Sequence, residues 1–306
     1  MIEIIATVES VYQATELLPS VDTIFFGEEK FGLRLPCSFS KSEQKELVAL
    51  AHAAGKQVMV AVNGIMHPDK MKEIPEYLHF LKSIHVDKIS LSDPVIIFVM
   101  QQQPELALPF IYDGQTLVTS ARQVNFWGRK GANGAVLARE VPFIEMKEMT
   151  DHLNIPTEVL VYGATCIHHS KRPLLQDYFH YTKQDEVDEK PQNLFLSEEK
   201  REKTHYSIYE DNHGTHIFAS DDICLMNELP ELVANGYQTW KLDGIFTTGQ
   251  NFVEIVQLYD TVRKEIEKNT YTTRQIAHYA SRVNQLHPVH RTLSTGFYNI
   301  NPEKIK

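Results

Sequence analysis

Residues 40–64 read SKSEQKELVALAHAAGKQVMVAVNG, and this stretch decides the fold class. Ser40 stands where a helix N-cap belongs, Lys41 to Ala54 follows helical spacing, and Gly55 lies just past its end. Gln57 to Val62 then runs unbroken and apolar until Asn63-Gly64 stops it. A strand that is apolar on both faces belongs in a parallel sheet covered by helices on both sides.

The same unit recurs in both directions along the chain. Strands are expected at Ile2 to Val8, Val21 to Phe26, Lys88 to Leu91, Pro109 to Tyr112, Ala135 to Leu137, Glu158 to Val161 and Thr239 to Leu242. Between them, helical patterns cover Val11 to Leu18, Met71 to Ile84, Pro94 to Gln102, Thr119 to Gly128, Pro142 to Leu153, Leu225 to Ala234 and Phe252 to Ile266. Eight such units favour an α/β fold of the closed (β/α)8 TIM-barrel type, with an open doubly wound sheet as the alternative. Barrel function sits at the C-terminal ends of the strands. That rule selects Glu28, Arg34, Asn63, Ser92, Asp93, Asp113 to Thr116 (Gln115 among them), Arg139, Glu140, Gly163 to His169, and Asp243-Gly244.

One long insertion, about residues 164–222, interrupts the pattern after strand seven. Its segment Lys183 to Lys203 carries seven acidic and five basic residues and little apolar periodicity, which predicts a mobile surface loop. Tyr206 to Ile208 and His216 to Ala219 read as hairpin arms around Asp211-Asn212-His213-Gly214. The expected organisation is a barrel over 1–270 carrying this insertion, and a C-terminal helix and tail over 271–306 packed on it.

The whole chain has 306 residues and a formal charge of −10, which opposes a protein that coats nucleic acid with its entire surface. The longest apolar run, Val95 to Met100, is far short of the roughly 20 residues a bilayer demands. The N-terminus lacks the basic region of a signal peptide, and three scattered cysteines (Cys37, Cys166, Cys224) make no disulfide framework. A cytoplasmic protein is the expectation.

The chemistry concentrates at Glu158-Val-Leu-Val-Tyr-Gly-Ala-Thr-Cys166-Ile-His168-His169-Ser-Lys171-Arg172. Cationic neighbours lower a thiol's pKa, so Cys166 reads either as a reactive or ligating thiol or as a small buried apolar side chain. Four histidines at 168, 169, 213 and 216 raise a zinc reading, which adjacent residues pointing to opposite sides oppose; no metal site is expected. No phosphate-cradling glycine loop and no GxSxG elbow occurs. A carboxylate pair for acid–base work could come from Glu28, Asp93, Glu140, Glu158 and Asp243.

Glu158-x-Leu160-x-x-Gly163-Ala164-x-Cys166 resembles the first half of the signature of the peptidase U32 family, the collagenase-like proteases. Seven further segments agree in order: Gly32-Leu33-Arg34, Val62-Asn63, Ser92-Asp93-Pro94, Leu137-Ala138-Arg139-Glu140, His213-Gly214-Thr215, Lys241-Leu242-Asp243-Gly244 and Ser294-Thr295-Gly296-Phe297. The departures are informative. Lys171 replaces a usual Gly, and Pro173 stands where the signature has a second Cys. Cys166 and Cys224 match two positions that hold a [4Fe–4S] cluster in some members, and Cys37 matches none; three cysteines exclude a four-thiolate cluster within one chain, and no cofactor is expected.

The resemblance implies a protein of the hydroxylating kind, acting on ubiquinone precursors or on the wobble uridine of tRNA, the latter linked to prephenate. It further implies the shorter of two U32 paralogues that work together in forming 5-hydroxyuridine. The expected partners are that paralogue and, through the complex, tRNA, with neither membrane nor DNA. Two other readings are a U32 peptidase and a non-catalytic barrel that scaffolds a paralogue. The residues expected in catalysis are Glu158, Cys166, His168 and Glu140. Arg34, Arg139 and Lys241 would hold a carboxylate or phosphate, and Asn63, Gln115, His213 and Asp243 would complete the substrate site.

Overall fold

A computed structural model describes residues 1–114, 117–183 and 194–304. Seven parallel strands follow one another around the barrel: β1 (Glu3–Thr7), β2 (Thr23–Gly27), β3 (Gln57–Val62), β4 (Lys88–Leu91), β5 (Phe110–Tyr112), β6 (Gly134–Val136) and β7 (Thr157–Gly163). The insertion contributes β8 (Cys166–Ser170), β9 (Phe195–Glu198), β10 (Arg201–Asp211) and β11 (Gly214–Phe218), and β12 (Asp221–Cys224) returns the chain to the barrel. Closure comes from β13 (Thr239–Leu242), which pairs in parallel with both β7 and β1: Thr239 lies opposite Glu158 on one side and Glu3 on the other. The barrel expected from the sequence is therefore the fold.

The Lys41–Ala53 helix forms for the reasons its sequence announces. Ser40 and Glu43 make a reciprocal capping box, and Gly55 follows in the left-handed region with φ of 69°. Leu47, Val48 and Ala51 bury its inner stripe. The single helix expected over Met71 to Ile84 is instead two pieces, Pro68–Met71 and Ile74–Ser83. Pro75 lacks an N–H and sits in the first turn of the second piece, where that donor would be unpaired anyway.

The charged segment 183–203 also departs from expectation. Residues 184–193 lie outside the described part, but Phe195–Glu198 and the start of β10 are paired antiparallel strands, with Phe195 opposite Ser207. β9 is exposed along its length, Phe195 and Leu196 included, so this part of the charged segment is a solvated edge strand and not a loop. The expected hairpin is present: Asp211 pairs with Gly214 across a tight turn. Gly214 has φ of 111°, and a Cβ there would fall 2.0 Å from the Ser170 carbonyl oxygen, so only glycine fits between β8 and β11.

The main apolar core lies between the strands and the surrounding helices, and a smaller one (Ile5, Phe25, Met59 and Ala61) fills part of the barrel interior. The Thr273–Leu286 helix packs on the Gly249–Glu267 helix. Beyond it β14 (Thr292–Ser294) pairs with β12, and Tyr298 stacks on Phe143 with ring centroids 4.8 Å apart. Among the described residues no helix is long and apolar enough to cross a membrane.

Candidate active site

The mouth of the barrel opens into a cleft of roughly 750 Å³, counted out to solvent. Eight of the eleven residues chosen from the sequence line it: Arg34, Asn63, Arg139, Glu140, Glu158, Cys166, Lys241 and Asp243. They come from the ends of β3, β6, β7 and β13 and from the loops that follow β2, β6 and β7.

Lys241 and Glu158 lie on the adjoining strands of the closing seam, Lys241 opposite Leu160 and Glu158 opposite Thr239, and both are buried. The Lys241 ammonium lies over the Phe25 ring, 3.1 Å from its centroid. Among the described residues it makes no hydrogen bond or ion pair. Burial pushes its pKa down to about 8, against the pull of Glu158, Asp243 and Asp113. Glu158 Oε2 is buried without a partner, and burial raises this carboxyl above the ordinary range although Lys241 opposes the shift. Asp243 is raised in the same way, by burial first, with Lys241 and Arg139 opposing; its Oδ1 accepts the Ile245 N–H at 3.0 Å. The floor of the cleft thus holds a cation with open donor positions beside two carboxyls that resist ionisation.

The walls are better satisfied. Asn63 Oδ1 accepts the Leu33 N–H at 2.9 Å and its Nδ2 donates to Asp113 Oδ2 at 2.8 Å, so one side chain ties the loop after β2 to the end of β5. Arg139 Nη1 donates to the Ala164 carbonyl at 2.7 Å. Arg34, in the left-handed region with φ of 53°, brings Nη1 to 4.0 Å from Cys166 Sγ.

Cys166 belongs to a second arrangement that the sequence did not resolve. Fully buried His216 holds Asp211 Oδ1 with Nε2 at 2.9 Å, and the same oxygen accepts the His213 N–H at 2.7 Å. Burial by itself would raise the thiol and lower the imidazole. The neighbouring His216 imidazole and then the Arg34 charge outweigh it at sulfur, and Asp211 outweighs it at the ring. The result is a thiol below its ordinary value, an imidazole above its own, and an Asp211 carboxyl held low by His216 against its own burial.

Three expected residues are placed elsewhere. His168 lies outside the cleft: its side chain is exposed on edge strand β8, and what it offers Cys166 is its carbonyl oxygen, 3.2 Å from Sγ. His213 is buried behind the mouth with Nε2 2.7 Å from the Glu29 carbonyl oxygen, and burial pushes its pKa down to about 4. Gln115 lies outside the described residues. Ser92 and Asp93 serve the scaffold: Ser92 Oγ donates to the Asn63 carbonyl at 2.7 Å, and Asp93 caps the Pro94–Gln102 helix. Missed by the sequence reading were Asp211 and His216, whose spacing within a tight hairpin was the available signal.

The thiols do not fit an iron–sulfur cluster. Cys224 packs in the apolar core with Sγ 3.6 Å from the Tyr259 hydroxyl, Cys37 sits against the core with Sγ 3.4 Å from the Ser38 carbonyl oxygen, and Cys166 faces the cleft. Among the described residues no three His, Cys, Asp or Glu side chains converge to hold a metal ion.

With this geometry in hand, residues 7–306 match the model of peptidase family U32. The chain belongs to the U32 family. This U32 chain is 33% identical over 302 residues to tRNA hydroxylation protein P2 of Bacillus subtilis, covering 97% of both. It is 25% identical over 249 residues to tRNA hydroxylation protein P1 of the same organism, covering 79% of this chain and 58% of the relative. Among solved structures, that of the U32 peptidase Mk0906 superposes with a TM-score of 0.53 at 15% identity, covering 79% of this chain and 92% of the other, and shares the fold.

Proposed function

We propose that this U32 protein works in the hydroxylation of wobble uridine in tRNA, together with a longer U32 paralogue of the P1 kind. The observation that carries the reading is the match to a P2 protein at 33% identity, which covers 97% of both sequences. The cleft supports it. Lys241 presents open donors from a buried position, with Arg34 and Arg139 at the same mouth. Such a set receives a carboxylate or phosphate, which suits the family's link to prephenate, a dicarboxylate, as well as an RNA backbone. Glu158, whose carboxyl burial holds above the ordinary range, stands at the same cleft to share a hydrogen bond with that ligand. A tRNA substrate puts the protein in the cytoplasm, and the overall charge of −10 leaves most of the RNA contact to the partner.

The test is mass spectrometry of nucleosides from total tRNA of cells lacking the gene. Loss of 5-hydroxyuridine and its derivatives, restored by wild type and not by Lys241→Met or Glu158→Gln, is the expected result. An unchanged profile in a strain with no second hydroxylation route sinks the reading. The peptidase reading keeps one supporting observation, a cleft thiol on the strand next to a His–Asp pair, and predicts cleavage of collagen-like peptides by the purified chain that Cys166→Ala abolishes.

A further inference from the structure

The Asp211–His216–Cys166 chain ends on the cleft, and nothing in the scaffold uses it. Asp211 and His216 flank the Gly214 turn of the β10–β11 hairpin, and β11 pairs with β8, His216 opposite His169 (ring centroids 4.4 Å apart) and Phe218 opposite Cys166, which brings the imidazole and the thiol onto neighbouring strands. Asp211 engages Nε2 and thereby directs that nitrogen to carry its proton toward the carboxylate. The remaining nitrogen, Nδ1, is buried with no partner at full hydrogen-bond geometry, and the thiol is the group beside it. A histidine placed only to fill space would have both nitrogens satisfied. On its other side the sulfur meets the Arg34 guanidinium at 4.0 Å, which favours its anionic form. A nucleophile, a base at its side and a carboxylate behind the base is the general arrangement of covalent catalysis.

Resting on the reading of this chain as part of a uridine hydroxylase, we propose that Cys166 is the nucleophile that adds to C6 of the target uridine, with His216 and Asp211 as its positioning residues. The uracil ring has its C5–C6 double bond conjugated to the C4 carbonyl, so C6 accepts a thiolate. The step balances without an oxidant. The thiol proton passes to His216 Nδ1, the sulfur lone pair forms the S–C6 bond, and the C5–C6 π pair moves to C5 and O4 as an enolate. Arg34, beside the sulfur, faces the negative charge as it leaves. C5 thereby becomes electron-rich, and C5 is the carbon that bears oxygen in 5-hydroxyuridine. Where no oxygen donor is present, C5 takes a proton from water; loss of either C5 hydrogen with departure of sulfur then restores uridine. The proposed step therefore exchanges the uridine C5 hydrogen with solvent.

The experiment uses the chain with its longer paralogue and unmodified tRNA transcripts, one labelled with tritium at uridine C5 and one carrying 5-fluorouridine, whose fluorine makes C6 more electrophilic and so raises the population of the thiolate adduct. Expected are tritium release from the wobble position and a covalent tRNA adduct mapped to the Cys166 peptide, both falling at least a hundredfold in Cys166→Ser. Alkylation of Cys166 by iodoacetamide, followed by peptide mass spectrometry, reads the relay without RNA. Its pH midpoint should rise in Asp211→Asn and in His216→Gln, a shift that a merely structural role does not produce. Exchange that survives in Cys166→Ser, or its absence from a wild-type complex that binds the transcript, overturns the proposal. If gene deletion removes 5-hydroxyuridine and Cys166→Ser restores it, the nucleophile assignment alone falls; if deletion leaves tRNA unchanged, the functional reading beneath it falls.

Discussion

Two buried charge clusters in this barrel differ in how completely their members are paired. On the Gly249–Glu267 helix, Arg263 donates to Asp260 through Nε at 3.0 Å and through Nη2, reaches Asp22 through Nη1, and Lys264 adds a 2.6 Å contact to Asp260 Oδ2. Asp22 Oδ2 also accepts the Ile4 N–H at 2.9 Å, so the network pins the start of β1 to this helix. Inside the barrel, among the described residues, Lys241 has the Phe25 ring and no hydrogen bond, and Glu158 Oε2 has no hydrogen-bond partner. Burying an ion costs several kcal/mol unless partners and hydrogen bonds compensate. The helix-side cluster meets that requirement with protein groups alone. The interior cluster leaves it unmet, which is what a site awaiting a ligand looks like, and the two should answer mutation in opposite ways.

The largest effect is expected at the paired cluster. Arg263→Leu leaves Asp260 buried with Lys264 as its remaining cation and Asp22 without its guanidinium, a loss of about 3 kcal/mol or roughly 5 °C in Tm. Thermal unfolding by circular dichroism measures it. A drop below about 1 kcal/mol would mean that the helix-side cluster is ornamental and that pairing does not separate the two.

The same contrast explains what the sequence could and could not say. Strands β2 and β3, apolar on both faces, and a helix framed by Ser40 and Gly55 carry a helix-covered parallel sheet in local pattern, and the count of eight such units tips it from an open sheet to a barrel. The rule of strand ends then reached Arg34, Asn63, Arg139 and Asp243, since position along a strand is a local property. Whether a charge is paired is not local. Arg263 and Asp22 are 241 residues apart and meet only through closure, and Glu158 and Lys241 become neighbours only because β13 closes on β7. His168 and His216 show the limit at close range. Both looked alike in sequence, and the β8–β11 pairing buries one and exposes the other. The strand at Phe195–Glu198 escaped notice for a related reason: it is exposed on both faces, with Phe195 and Leu196 adjacent, so no alternation of apolar and polar residues announces it.

His287 stands between the two extremes and gives a pH test. Its Nδ1 lies 2.8 Å from the Tyr162 hydroxyl, while Nε2 has no hydrogen-bond partner and stays 3.6 Å from Asp222, which Arg291 already holds. Burial, and then the Arg291 charge, push its pKa down to about 4. The folded value lies below the unfolded one, near 6.5, so its contribution is fully present above pH 6.5 and is lost as pH falls through about 4. His287→Gln keeps a partner for Tyr162 and removes the titration. Wild-type minus variant stability, from urea unfolding at a series of pH values, should fall between pH 6.5 and 4 by up to about 1.4 kcal/mol per unit. A flat difference would show that His287 takes its proton inside the fold and that the Asp222 cluster is open to it.

The smallest change in stability should come from the residue with the largest part in function. Lys241→Met removes a buried ammonium that no protein group pairs and leaves a side chain of similar length against Phe25, so at pH 7 the variant should match wild type or exceed it by about 1 kcal/mol. The pH dependence sharpens this. The folded pKa, about 8, lies below the ordinary value of 10.5, so wild type regains stability relative to the variant as pH rises between those values, where the unfolded chain still holds the proton that the native one has released. The same variant should fail to restore 5-hydroxyuridine. A loss of 2 kcal/mol or more at pH 7 would instead place Lys241 with Arg263, as a cation the fold itself consumes, and would take away the reason to read the interior cluster as a binding site.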